Sequence, residues 1–279
     1  MRVLVVGDVI EDILVTPKTQ IRFDTDTQSE IHISPGGSGA NFACWLSAAK
    51  VPVDFVGRVG AVDLHKHSAD LASYGITPHL QTDEALPTGK IVVLVEGNQR
   101  SFLTDRGANQ NLDFESIPDS LFGSALYISG YSLLSADPGQ IQKLIARAKA
   151  ANSLVVCDPG SAGFIKDFGA LDFLEAFAGV DVFLPSWEEG RVLTGEEKPE
   201  DIAGILSQRF KVVGLTLGEH GAQIAGEDLN IRVDAPLADS IDPTGAGDAF
   251  AASFLKELLL GKSLEECAKS AVKQGAIAV

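Results

Sequence analysis

Residues 242–250 read Asp-Pro-Thr-Gly-Ala-Gly-Asp-Ala-Phe (DPTGAGDAF), and this stretch decides what kind of chain surrounds it. Pro243 and Thr244 make a turn, and Gly245 and Gly247 open backbone conformations closed to other residues. The following AGDAFAASFLKELLLG carries apolar residues at helical spacing and stops at Gly261. The N–H groups of Gly245, Ala246 and Gly247 therefore crown a helix N-terminus, where unpaired donors and the positive end of the helix dipole hold an anion. Asp248 puts a carboxylate beside that cradle, which static phosphate binding would not favour. Phosphoryl transfer would: the carboxylate orients an acceptor hydroxyl and takes its proton, while the amides neutralise the moving phosphoryl group. The plainer alternative is a Gly-rich turn with Asp248 as an ordinary first-turn acid, a contribution of roughly a few tenths of a kcal/mol. Two other nucleotide motifs are absent: no P-loop pattern occurs, and GAGDAF lacks the third glycine of a dinucleotide fingerprint and falls late in the chain.

On either side of this motif, apolar runs alternate with helical patterns. RVLVVG (2–7), VDFVGRVG (53–60), SALYISG (124–130), SLVVCDP (153–159), VDVFLP (180–185) and KVVGLTL (211–217) read as strands. Helices are predicted over 39–50 and 63–75, the second stopped by Gly75. Apolar strands separated by helices imply an α/β fold with a parallel sheet covered on both faces, and ligands in such sheets sit outside the carboxyl ends of the strands. Two segments differ. IRFDTDTQSEIHI (21–33) and KIVVLVEGNQRSFLTD (90–105), the latter turning at Gly97-Asn98, read as β-rich pairs with polar alternation, suited to a small sheet exposed on one face.

The 279 residues, 45% hydrophobic and 22% charged, suit one large α/β domain with at most a small appendage. A net charge of −16 repels nucleic acid and anionic lipid, so neither is expected as a partner. It does not exclude a small anionic ligand, because local amides and cations act within a Debye length of roughly 8 Å. No apolar run is long enough to span a bilayer, and MRVLVVGDVI reads as a first buried strand instead of a secretory leader. Cys44, Cys157 and Cys267, odd in number and far apart, suit buried thiols, and a cytoplasmic location is expected.

GGSGANFA (36–43) and DPTGAGDAF together resemble the two glycine motifs of the ribokinase-like (PfkB) carbohydrate kinases, and the resemblance extends over residues 3–279. It implies a three-layer αβα fold with a mainly parallel sheet and a small β-sheet lid. The core would comprise 1–13, 34–87 and 107–279, and the lid 14–33 and 88–106. By the same resemblance Asp248 is the catalytic base, and the amides of Gly245, Ala246 and Gly247 form the anion hole. Asp12 matches the acid that grips acceptor hydroxyls, and Gly36, Gly37, Gly39 and Asn41 the sugar-contacting loop. LTLGEHGA (215–222) looks like the nucleotide loop, with Thr216, Gly218 and Gly221 lining the ATP pocket. Glu189 matches the acid that meets Mg²⁺ through water, and Asp242 is a candidate ligand for a monovalent cation. The sequence departs from the pattern at Ser186, where the family's Asn-x-x-Glu motif begins with Asn, and at Ser38, where ribokinases carry Lys.

Arg106, following a lid strand, is the main specificity candidate, since a guanidinium can fork onto a substrate carboxylate or hydroxyl pair. A surface Arg paired with Asp105 is the plainer reading. The expected activity is transfer of a phosphoryl group from ATP, with Mg²⁺, to a hydroxymethyl group of a sugar, sugar acid or nucleoside. A non-catalytic sugar or nucleotide sensor and a dinucleotide-dependent oxidoreductase are the competing classes, the second disfavoured by the missing fingerprint. Lid strands with polar edges could also pair two copies into a homodimer.

Overall fold

The computed structural model describes residues 1–97, 99–226, 228–237 and 245–279. The chain opens with β1 (Val3–Val6), β2 (Ile10–Pro17) and β3 (Ser29–Gly36), then α1 (Ser38–Ala48). β4 (Val53–Val56), β5 (Arg58–Gly60), α2 (Leu64–Ser73), β6 (Thr77–Pro78) and β7 (Gln81–Asp83) follow, and then β8 (Thr88–Glu96) and β9 (Gln99–Gly107). The second half alternates strand and helix: β10 (Ala125–Ser129), α3 (Pro138–Ala150), β11 (Leu154–Asp158), α4 (Ala162–Phe168), α5 (Ala170–Ala176) and β12 (Val182–Phe183). It continues through α6 (Trp187–Thr194), α7 (Pro199–Leu206), β13 (Val212–Thr216), β14 (Ala222–Gly226), β15 (Leu229–Val233), α8 (Ala246–Leu259) and α9 (Leu264–Ile277).

The central sheet has the order β15-β14-β13-β12-β11-β10-β1-β4-β6, parallel except at one edge, where β14 runs antiparallel to both β13 and β15. Its middle strands are buried on both faces, as their unbroken apolar runs require. Val3, Val5, Phe55 and Tyr127 pack with Phe42 and Leu46 of α1, Phe254 of α8 and Ala271 of α9. Leu4, Val6, Leu126 and Ile128 pack on the other side with Ile141 and Leu144 of α3, Phe173 of α5 and Ile202 of α7. Two helical layers thus sandwich one sheet, the three-layer αβα architecture expected.

Two predicted elements come out differently. The strand expected over 53–60 breaks at Gly57 into β4 and β5, and β5 leaves the central sheet to pair with β7. A Cβ at Gly57 would lie 2.8 Å from the Phe55 ring and 2.9 Å from the Gly7 carbonyl, so the chain bends through a gap that only glycine fits. In the 21–33 segment only Ser29 onward is strand; Arg22 to Thr27 form a turn, closed by the Arg22 N–H donating to Thr27 Oγ1 at 2.9 Å.

The small sheet has the order β3-β2-β8-β9, with β2 and β8 parallel and the outer pairs antiparallel. Its register sets two faces. Ser34, Asp12, Ile91 and Thr104 are neighbours across the strands, with Leu14, Val93 and Phe102 in the next row, and these residues line a cleft above the central sheet. Ile33, Ile13, Val92 and Leu103 form the corresponding row on the opposite face. There Ile33 is 66% and Leu103 62% exposed, so the outer face is apolar where polar alternation was expected.

Candidate active site

Five strands of the central sheet deliver residues to the cleft from their carboxyl ends. Asp8 follows β1, Tyr131 lies beyond β10, Asp158 ends β11, Ser186 follows β12 and Thr216 ends β13. The cleft holds about 450 Å³ and is roofed by the small sheet. It gathers most of the residues singled out in the sequence: Asp12, Gly37, Asn41 and Arg106 from the acceptor motifs, Glu189 and Thr216, and Gly245, Gly247 and Asp248 at the head of α8. Gly218, Gly221 and Ala246 line a second cavity of about 490 Å³, and Thr216, Gly247 and Phe250 face both. Asp242 lies outside the described residues.

Gly36 and Gly39 stand behind the wall of the cleft. A Cβ at Gly36 would sit 2.1 Å from Asp12 Oδ2, so glycine makes room for that carboxylate to turn inward. Gly39 crosses Gly7 so closely that a Cβ would come within 2.8 Å of the Gly7 Cα, which brings the start of α1 against the end of β1. That crossing lets Asp8 Oδ1 accept the Gly39 N–H at 3.0 Å and cap α1, whose own N-cap residue, Gly37, has no side chain to do so. At the head of α8, Gly245 adopts φ 83°, and a Cβ at Gly247 would meet nothing within 4 Å. The cradle is open to the cleft.

Carboxylates crowd this space. Burial pushes the Asp248 carboxyl up to about 8, with the Asp8 charge adding to the effect; Asn41 and Ser38 act as donors that hold it down. Burial, then Asp8, raises Asp12 to about 6. Asp158 is pushed well above the usual carboxylate range by burial and by Glu189 and Asp248. Burial also raises Glu189, against the hydrogen bonds from Ser186. Acids that resist ionising, collected in one cleft, are the signature of a site that moves protons or binds cations.

Glu189 has a structural task as well. Ser186 Oγ accepts the Glu189 N–H at 3.3 Å, and Glu189 Oε2 accepts the Ser186 N–H at 2.7 Å, a capping box that starts α6. This accounts for Ser at position 186: its hydroxyl caps the helix whose first turn carries Glu189. Sequence reasoning missed Asp8, Asp158, Tyr131 and Arg100, all of which line the cleft. Asp8 and Asp158 shared a signal, each being an acid at the end of a buried apolar strand. Tyr131 had none, because only the fold brings its ring under the Arg106 guanidinium, 4.2 Å away.

A three-layer αβα core, a small sheet over the strand ends and a glycine-headed helix with an acid in its first turn define a ribokinase-like phosphotransferase. The chain matches the pfkB family carbohydrate kinases over residues 1–279 and belongs to that family. It is 30% identical over 262 residues to adenosine kinase 2 of Arabidopsis thaliana, covering 84% of this chain and 75% of that protein. It is also 30% identical to an Arabidopsis thaliana ribokinase, over 88% of this chain and 66% of the relative. Among solved structures, an adenosine kinase from Sinorhizobium meliloti superposes with a TM-score of 0.88 at 23% identity, covering 99% of this chain and 92% of that one. A ribokinase from Thermotoga maritima gives 0.83 at 24%, with the same coverage. These structural likenesses speak to the fold. The family and the curated relatives make the protein a carbohydrate or nucleoside kinase, a phosphotransferase with an alcohol group as acceptor.

Proposed function

We propose that the protein transfers the γ-phosphoryl group of ATP to a hydroxymethyl group of a small sugar, sugar acid or nucleoside, with Asp248 as the base. The observation that carries this is the position of Asp248: first turn of α8, half-buried in the cleft and beside the open amides of Gly245–Gly247. Asp12 and Asn41 face the same space and would hold acceptor hydroxyls. The second cavity, with Thr216, Gly218 and Gly221 on its wall, would take the nucleotide, so that the phosphates lie where the two cavities meet at Gly247. Residues 14–33 and 88–106 would act as the lid that keeps water from competing for the phosphoryl group.

Mg²⁺ fits this arrangement. Magnesium in kinases is held by one or two carboxylates, its waters and the nucleotide phosphates, not by a cage of protein ligands. Glu189 and Asp158 supply two carboxylates whose burial already disfavours carrying charge without a cation nearby. When bound, the ion would neutralise charge on the phosphates in transfer. Asp248 would take the hydroxyl proton, a contribution of about 10²–10⁴ in rate. The remainder would come from in-line positioning and the α8 amides.

The test is ADP release with Mg·ATP against pentoses, hexoses, sugar acids, sugar phosphates and nucleosides, for wild type and Asp248→Asn. The expected outcome is acceptor-dependent turnover that falls by roughly 10²–10⁴ in the variant, with ATP affinity by calorimetry within about threefold. Equal loss of turnover and of ATP binding would make Asp248 a structural residue. Sugar and ATP binding without turnover in wild type would return the protein to the sensor class.

The outer face of the small sheet supports a homodimer. Ile31 is 60%, Ile33 66% and Leu103 62% exposed there, an apolar surface that a second copy would cover. Ile33→Glu should convert a dimer to monomers in analytical ultracentrifugation; a wild type that already sediments as a monomer sinks the idea.

A further inference from the structure

The chain crosses between the core and the small sheet at the start of β2, the end of β3, the start of β8 and the end of β9. One buried side-chain amide meets three of these crossings. Asn109 lies in the 3₁₀ turn Ala108–Asn111 that follows β9 and is 6% exposed. Its Oδ1 accepts the Val9 N–H at 3.0 Å, and its Nδ2 donates to the Val9 carbonyl at 2.8 Å and to the Arg106 carbonyl at 3.2 Å. Val9 immediately precedes β2, and Arg106 is the last residue but one of β9. A Cβ at Gly89, the second residue of β8, would stand 2.7 Å from Asn109 Nδ2, so glycine lets that strand pass the amide. Next to it, the Ala108 N–H donates to the Pro87 carbonyl at 2.8 Å, just before β8.

The chemistry at this point calls for an amide. Two peptide carbonyls need donors and one peptide N–H needs an acceptor, a set that a carboxylate or a hydrocarbon cannot satisfy. Val9 is 3% exposed, so water does not reach its peptide groups if the amide is lost. The Asn109 backbone is tied down in turn, because the Ser135 hydroxyl, beyond β10, donates to its carbonyl. The amide is thus fixed to the core before it fixes the small sheet.

What it aligns is one side of the cleft. Val9 follows Asp8, which holds the head of α1 by accepting the Gly39 N–H on its carboxylate at 3.0 Å and the Ala40 N–H on its carbonyl at 3.3 Å. That helix head carries Ser38 and Asn41, the side-chain donors to Asp248. Three residues beyond Val9, β2 presents Asp12 to the cleft, and Arg106 enters it from the other pinned strand. Asn109 itself lines neither of the two large cavities, and the second cavity shares no residue with the pinned segments. Resting on the kinase reading, we propose that Asn109 is a positioning residue for phosphoryl transfer. By pinning Val9 to the end of β9 it sets where Asp8, Asp12 and the head of α1 stand, and so where the acceptor hydroxyl meets Asp248.

The test uses Asn109→Asp, which keeps an acceptor for the Val9 N–H but turns an oxygen toward the two carbonyls, and Asn109→Ser, which leaves space for water there. Ser153→Ala is the control for lost stability alone. Ser153, 3% exposed just before β11, donates to the Gly123 carbonyl at 2.6 Å at the end of the sheet opposite the cleft. Adenosine, ribose, fructose and 2-keto-3-deoxygluconate serve as acceptor probes, with ADP release giving KM for acceptor and for Mg·ATP and a thermal midpoint taken for every variant. In both Asn109 variants the acceptor KM should rise by roughly 10- to 100-fold, while KM for ATP moves by less than about threefold. Ser153→Ala should lower the midpoint and leave both constants within about twofold. Asn109 variants that lose stability with both constants unchanged, as the control does, overturn the proposal, and so do variants that raise both constants equally. Amide hydrogen exchange by mass spectrometry judges the pin without any acceptor: faster exchange confined to 7–14 and 100–110 upholds it, and faster exchange spread over the whole chain overturns it. Absence of turnover with every probe in wild type would count against the kinase reading, and the exchange pattern would then decide the pin by itself.

Discussion

The two cavities that meet at the head of α8 are made of opposite materials. The one beneath the small sheet is crowded with Asp8, Asp12, Asp158, Glu189 and Asp248. The other is walled by Ala235, Pro236, Val272, Gly275 and Ala276, and Glu219 is its one charged side chain among the described residues. Charges forced together out of water shift their protonation, which is costly for stability but useful where a proton must move. Small apolar walls do nothing to protonation and suit the faces of a flat heterocycle. On the proposed reading the contrast would make chemistry and nucleotide binding separable, the two cavities sharing Thr216, Gly247 and Phe250 among the described residues.

After Asp248→Asn, whose loss of turnover is the largest effect expected, the separation is tested most directly by filling the neutral cavity. A Cβ at Gly275 would sit 3.4 Å from the Ala246 carbonyl and 3.8 Å from Phe250, ordinary contacts, so a leucine there extends into the second cavity. Gly275 lies inside α9, where replacing glycine by a better helix former favours the helix by up to about 1 kcal/mol. Gly275→Leu should therefore fold well and raise KM for ATP by roughly 10- to 100-fold, a few displaced ligand contacts at about 1–3 kcal/mol. KM for the acceptor should move by less than about threefold. If both constants rise together in steady-state kinetics, the cavities are not separable and the contrast is one of composition alone.

What could be read in the sequence was local. The glycines of 245–247 and the periodicity of α8 lie within a few residues of each other, and so do the acid and serine of the α6 capping box. The strands of the central sheet were legible because burial on both faces demands unbroken apolar runs. The place of Asp8 at a strand end was legible too, but its task was not, because its partners are Gly39, 31 residues away, and Arg106, 98 residues away. The outer face of the small sheet was misread for a related reason. Alternation along one strand cannot say which face is polar until register sets Ile33 beside Ile13 and Val92 beside Leu103. The separate pairing of β5 with β7 followed from a backbone gap at Gly57 that no propensity records.

The smallest effect is the most diagnostic of the crowded cleft, because it reads the charge itself. Asp248 has its carboxyl raised to about 8 in the folded protein, against an ordinary value of 3.8. A carboxyl raised on folding makes the folded state bind more protons between the two values, so its contribution is neutral below 3.8, grows more destabilising as pH climbs toward about 8, and is constant above that. Asp12, raised to about 6, adds a penalty of the same sign that sets in fully at lower pH. Asp248→Asn removes the larger one while leaving Asp8, Asp12 and Arg106 in place. The variant should melt nearest to wild type at the acid end of the range, gain on it as pH rises from 5 to about 8, and hold that lead to pH 9, by roughly 3–8 °C. Over the same interval, wild-type kcat/KM should rise with pH and level off above about 8, because only the ionised carboxylate can accept a proton. The residue that costs the fold stability above neutral pH is then the one that supplies the activity there, the trade expected where a strained charge serves catalysis. A melting difference that stays flat from pH 5 to 9, measured by calorimetry, would mean that Asp248 carries an ordinary carboxyl and that the crowding of the cleft is relieved in solution.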